Sequence, residues 1–250
     1  MTERRVVRER VAGQSAMQTV VLAQSAAPQR GRLARMLGTS PLTATARAAY
    51  RSALAELAVG EALEQLGPRW DVLHDVPVGD GSLDHLAIGP AGVFAVHAVL
   101  CADAAAIAGD DGALADDVAI ARAQADDVSE ALGVHAAPLV ALVGPRRVAG
   151  AGRPVLAATE LHRTLARAPQ TLDGDAVAAL SDLADLPRTW PDADRTVLDI
   201  QQLHRDFAAV RASVRSAARV RLRWALSVSV VLLVAVWVAV AIVAEAALVP

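Results

Sequence analysis

The chain has no lysine: all 24 basic residues among its 250 are arginine. Chemistry that needs a lysine, as Schiff base, phosphate ligand or catalytic cation, is excluded. A single cysteine, Cys101, excludes a disulfide framework and any multi-cysteine zinc or iron–sulfur site. Aromatic residues make up 3% of the chain, which leaves little for stacking on bases. Ala, Val and Leu instead supply most of a hydrophobic fraction of 54%, which excludes a largely disordered protein. The length suits one full domain with extras, or two small domains.

The net charge of −3 conceals a split. Residues 1–53 hold nine Arg against Glu3 and Glu9, a balance of +7. Residues 54–210 hold ten Arg and 24 acids, a balance of −14. Residues 211–250 return to +4, with five Arg and Glu245. The acidic middle repels polyanions over most of its surface, which argues against general DNA binding there. Residues 1–39 read as a flexible basic arm that could touch nucleic acid or anionic lipid.

From Trp224 to Ala244 runs WALSVSVVLLVAVWVAVAIVA, free of charge and polar only at Ser227 and Ser229. As a helix it would be about 31 Å long, the thickness of the hydrocarbon core. A transmembrane helix is expected over 224–246, with a buried core helix as the alternative. Arg211, Arg215, Arg219, Arg221 and Arg223 precede it with no intervening acid, so the N-terminal domain is expected in the cytoplasm. Residues 1–10 are charged and do not resemble a signal peptide. The pattern suggests a single-pass, tail-anchored protein of the cell membrane.

Between these ends, Ser40-Pro41 predicts a helix start, with the helix running to about Leu66 and stopping at Gly67-Pro68. Trp70–Val76, Leu83–Ile88 and Val93–Leu100 read as an antiparallel meander, with turns at Gly79-Asp80-Gly81 and Gly89-Pro90-Ala91-Gly92. The acid-rich stretch 109–132 includes a helix from about Leu114 to Leu132. Pro138–Val143 is a short buried strand, with a further strand at Val155–Ala158. Helices are expected at 159–167 and 174–185. After Pro191, Val197, Ile200, Leu203, Phe207, Val210 and Val214 recur at helical spacing. This predicts a helical linker over 191–223 leading to the membrane. The stripe either packs on its own domain or forms a helix–helix seam for self-association.

Two acids draw attention. Glu61 falls within about 40° of Tyr50, Leu54 and Leu57 on a helical wheel, and a carboxylate in an apolar stripe is costly without a partner. It either reaches solvent at the stripe's edge, pairs with an Arg, or serves a site. Asp84 stands in a strand, where Asp is rare, with His85 pointing the other way. On the next strand His97 shares a face with Val93, Ala95 and Val99. Two acids and an imidazole from separate elements could form a cation site.

These residues resemble a family. Gly60-Glu61 on a helix, then a strand, then Leu83-Asp84-His85-Leu86-Ala87-Ile88-Gly89-Pro90, then Gly92-Val93-Phe94-Ala95-Val96, is similar to the nuclease-related domain (NERD). That family is a branch of the restriction-endonuclease-like PD-(D/E)xK group. The resemblance extends over about residues 50–188. It implies an α/β fold over 40–190, a restriction-endonuclease-like mixed sheet flanked by helices, followed by the long helix and the C-terminal transmembrane helix.

The resemblance also implies a divalent-cation site, Mg²⁺ or Mn²⁺, in which Glu61 takes the helix position and Asp84 the strand position. A Glu-x-Lys on the following strand completes it in the family. Here His97 stands where Glu is expected and Val99 where Lys is expected. Loss of the Lys charge costs on the order of 100- to 1000-fold in such chemistry. His97 in place of Glu disfavours Mg²⁺, although an imidazole suits Mn²⁺ or Zn²⁺. The expectation is a membrane-anchored relative with no catalytic activity, acting as a binding or scaffolding module. The alternatives are a residual metal-dependent nuclease using Glu61, Asp84 and His97, and an interaction protein dimerising through the 197–214 helix.

Overall fold

The computed structural model describes residues 7–28, 30–79, 81–101, 114–144, 154–190 and 199–248. Asp80 of the first predicted turn, the start of the acid-rich stretch at 109–113, Pro191 and Val197 lie outside them.

Helix α1 (Gln14–Ser25) and the short α2 (Arg32–Met36) precede α3 (Ala44–Glu64). A meander of β1 (Asp71–Val78), β2 (Gly81–Gly89) and β3 (Gly92–Leu100) follows. Helix α4 (Ala115–Leu132) crosses to β4 (Ala136–Val143), and β5 (Val155–Ala157) completes the sheet. Helices α5 (Ala158–Arg167) and α6 (Gly174–Ala184) come next, and α7 runs from Ile200 to Leu248. The five strands lie in the order β1-β2-β3-β4-β5, antiparallel across β1, β2 and β3 and parallel from β3 onward. The α/β class and the mixed sheet flanked by helices are as the sequence suggested.

Strand alternation builds a core on each face of the sheet. Leu86 and Ile88 of β2, with Val93 and Ala95 of β3, pack with Ala125, Val128 and Leu132 of α4. Ala87 of β2 and Val96 and Ala98 of β3 pack with Ala55, Val59 and Leu63 of α3 and Leu161 and Leu165 of α5. The β2–β3 turn is tight because Gly89 pairs directly with Gly92. Gly89 is also where the Trp70 ring lies on the backbone. A Cβ there would sit 2.2 Å from a ring carbon.

Two expectations need correction. Helix α3 begins three residues beyond Pro41, with Thr43 as its cap accepting from the Ala46 N–H at 3.1 Å. Ser40 instead accepts from the Leu42 N–H in a local turn that competes with helix. The larger correction concerns the flexible arm over 1–39. Within it α1 packs on α3, burying Met17 and Val20 with Ala53. Val7 enters the main core. Arg8 grips both oxygens of Asp71, at 2.9 and 2.6 Å, and reaches Asp185 at 3.0 Å. Two of the arginines that suggested a solvated tail, Arg8 and Arg10, are tied to acids of the domain.

Leu203 and Phe207 of α7 are buried against α1 and α3, with Phe207 5.7 Å from the Tyr50 ring. The 197–214 stripe therefore packs on its own domain where it is described. Beyond Ala217, which is buried, the apolar side chains of α7 from Leu222 to Val238 are exposed. That excludes a buried core helix, and the helix is long and apolar enough to cross a membrane.

Candidate functional site

The tight hairpin between β2 and β3 fixes which residues face each other. Pairing runs from Gly89 and Gly92 to His85 and Val96, and one step further Asp84 stands opposite His97. There the strands part, and the next amide of β3 needs an acceptor. The Asp84 side chain supplies it, with Oδ2 accepting from the Ala98 N–H at 2.6 Å. The same oxygen lies 3.0 Å from Nδ1 of His97. Across the ring, Nε2 stands 3.7 Å from Oδ1 of Asp117 on α4. Burial disfavours a charged His97, but Asp84 and Asp117 together outweigh it, and the imidazole pKa is raised. The result is an imidazole held between two carboxyl groups, from β2 to α4.

Of the three residues singled out in the sequence, Asp84 and His97 are thus in contact. Glu61 is exposed on α3, at the solvent end of the stripe formed by Tyr50, Leu54 and Leu57. Its preceding neighbour, Gly60, is where α3 crosses the sheet closely: a Cβ there would meet Ala12 at 3.0 Å and the His85 ring at 3.6 Å. Beneath it His74 and His85 meet Nδ1 to Nδ1 at 2.8 Å, so one ring donates and the other accepts. Burial, then the neighbouring His74, pushes His85 down to about 3, and burial also lowers His74. Both rings are neutral at ordinary pH.

The acid of α3 that is coupled to the sheet is Glu56, about 140° around the helix from Glu61. It is only 6% exposed. Burial first, then the charges of Asp84 and Asp75, pushes its carboxyl up to about 9. Asp75 of β1 is fully buried in a left-handed backbone conformation, with φ 50°. Arg10 donates to its Oδ2 at 2.8 Å and to its carbonyl at 2.7 Å, while the Ser15 hydroxyl donates to Oδ2 at 2.9 Å. Burial raises the Asp75 pKa, with Ser15 and Arg10 opposing it.

Glu56, Asp75, Asp117 and Arg10 were missed in the sequence. Glu56 carried a signal, an acid at helical spacing among the alanines of α3. Arg10 carried none, being 65 residues from its partner.

The donors do not suit a hard divalent cation. Oδ2 of Asp84 already faces an amide and an imidazole, Glu61 stands apart on the exposed side of α3, and Glu56, its carboxyl pushed up to about 9, holds its proton at neutral pH. Among the described residues, no three His, Cys, Asp or Glu side chains are arranged to hold a metal ion. The region can hold protons and pair charges.

No curated protein and no solved structure matches the chain significantly. Residues 51–98, from within α3 to within β3, match the family model of the nuclease-related domain, NERD, and Glu56, Asp75, Asp84 and His97 fall within the matched stretch.

Proposed function

We propose that the protein is held in the cell membrane by α7 and presents its nuclease-related domain to the cytoplasm as a binding or scaffolding module without nuclease activity. The observation that carries this is the engagement of Asp84, whose carboxylate oxygen faces the Ala98 N–H and the His97 ring. The arginine-rich run before the span supports the cytoplasmic placement. A restriction-endonuclease-like ancestry agrees with the mixed sheet and with an acid at the parting of two strands.

Residual metal-dependent cleavage through Glu61, Asp84 and His97 is the competing function. One observation favours a retained site in some form: Arg10 brings a guanidinium to an acid cluster that has no lysine. The full chain in detergent, incubated with plasmid and Mg²⁺ or Mn²⁺, separates the two. The proposal expects intact plasmid and no metal-dependent rise in Tm. Cleavage abolished by Asp84→Ala would overturn it. Self-association through 197–214 is disfavoured, because Leu203 and Phe207 would have to leave their intramolecular packing.

A further inference from the structure

Helix α2 has an apolar face that nothing among the described residues covers. Leu33, Met36 and Leu37, at i, i+3 and i+4, share one side and are 74%, 63% and 56% exposed. Such a face ordinarily packs on a core. Here it stands beside α7, at a defined height. The turn after α2 presses Gly38 onto the helix, so closely that a Cβ would come within 2.6 Å of the Ala217 carbonyl and 2.8 Å of the Arg221 nitrogen. One turn further on, the Trp224 indole N–H donates to the Met36 carbonyl at 2.8 Å. Trp224 opens the apolar run, where an amphipathic ring marks the boundary between headgroups and hydrocarbon. Leu222, Trp224 and Leu226 are exposed too, so the apolar residues of α2 stand at the level where the apolar run of α7 begins.

The charge around this surface has one sign. No acid occurs between Glu9 and Glu56, or between Asp206 and Glu245. Arg32 and Arg35 of α2 are exposed, as are Arg215, Arg219, Arg221 and Arg223 of α7. An apolar face rimmed by arginines, at the depth of an interfacial tryptophan, has the chemistry of an amphipathic helix lying in an anionic headgroup layer.

We propose that α2 is a second membrane contact, its Leu33, Met36 and Leu37 face lying in the headgroup layer of an anionic bilayer with Arg32 and Arg35 on lipid phosphates. This rests on α7 spanning the membrane. It adds a peripheral dock to the anchor and fixes which side of the domain faces lipid.

The test uses the full chain carrying Cys101→Ser and Met36→Cys, labelled with an environment-sensitive fluorophore. A Leu33→Cys version guards against misfolding at one site. Both are reconstituted in vesicles of phosphatidylcholine alone or with phosphatidylglycerol, and flotation checks the anchor independently. On anionic vesicles the label should be quenched by lipids spin-labelled near the headgroup and shielded from aqueous iodide. Arg32→Glu with Arg35→Glu should reverse this, with about a fivefold change in lipid-contacting population per arginine. Floating protein whose label stays open to iodide overturns the dock while the anchor stands. Protein that does not float overturns both. Equal shielding on neutral vesicles overturns the role of the arginines. Shielding that appears in detergent and grows with protein concentration identifies a second copy of the chain as the occupant, and overturns the lipid proposal.

Discussion

His97 sits between two carboxylates, and its raised pKa links proton uptake to folding. The stabilisation is complete below the ordinary imidazole range, about 6.5, and is lost as pH rises through the raised folded value. Glu56 acts with the same sign over a wider window. Its carboxyl moves from the usual 4.5 to about 9 on folding, so stability falls as pH rises between those values. Glu56→Gln is expected to flatten the dependence and to stabilise the chain at pH 9 by about 2 kcal/mol, read from urea unfolding. A profile that stays as steep would show that Glu56 does not hold this proton. Asp84→Ala leaves the Ala98 N–H without its acceptor and is expected to cost about 2 kcal/mol, with Asp84→Asn costing less because an acceptor remains. Arg10→Ala strands the Asp75 carboxylate and should cost about 3–5 kcal/mol, in the range for breaking a buried ion pair from one side. Part of this region was legible beforehand. Strand alternation and the tight hairpin turn put Asp84 opposite His97. Glu56 was obscured because a wheel angle says which residues share a face, and not which face meets the sheet. Arg10 and Asp117 reach the region only through tertiary packing.

At the scale of elements, the meander and the helices after it were readable because glycine turns bound the strands and apolar spacing marks the helices. The start of α3 was displaced because two local signals compete: Ser40 closes a turn of its own, and Thr43 caps the helix. Thr43→Ala should destabilise by about 1 kcal/mol, measurable by thermal unfolding. The order in α1 was hidden for a different reason. Its apolar spacing, Met17, Val20 and Val21, lasts only one turn inside a polar, arginine-bearing stretch, yet Met17 and Val20 meet a complementary surface on α3 and α7. Gly89→Ala is a sharper test of packing, since the new methyl would fall on the Trp70 ring. A loss of more than about 2 kcal/mol is expected, because both ring and backbone would have to move. A Tm within experimental error of the parent would show that Trp70 does not lie against that turn.

The whole molecule divides into a folded domain and an apolar helical extension, a division announced by the uncharged run from Trp224 to Ala244. Removing residues 224–250 is expected to release the protein from membranes into the supernatant on sedimentation. Continued sedimentation of the truncated chain would assign membrane attachment elsewhere. No helix break separates the part of α7 buried on the domain, at Leu203, Phe207 and Ala217, from the exposed apolar part. About 10 Å of helix lies between Ala217 and Trp224. With α7 spanning a bilayer as proposed, a post so short and stiff gives the domain no tether on which to roam, so whatever it meets must come within reach of the bilayer surface, and always from the same side.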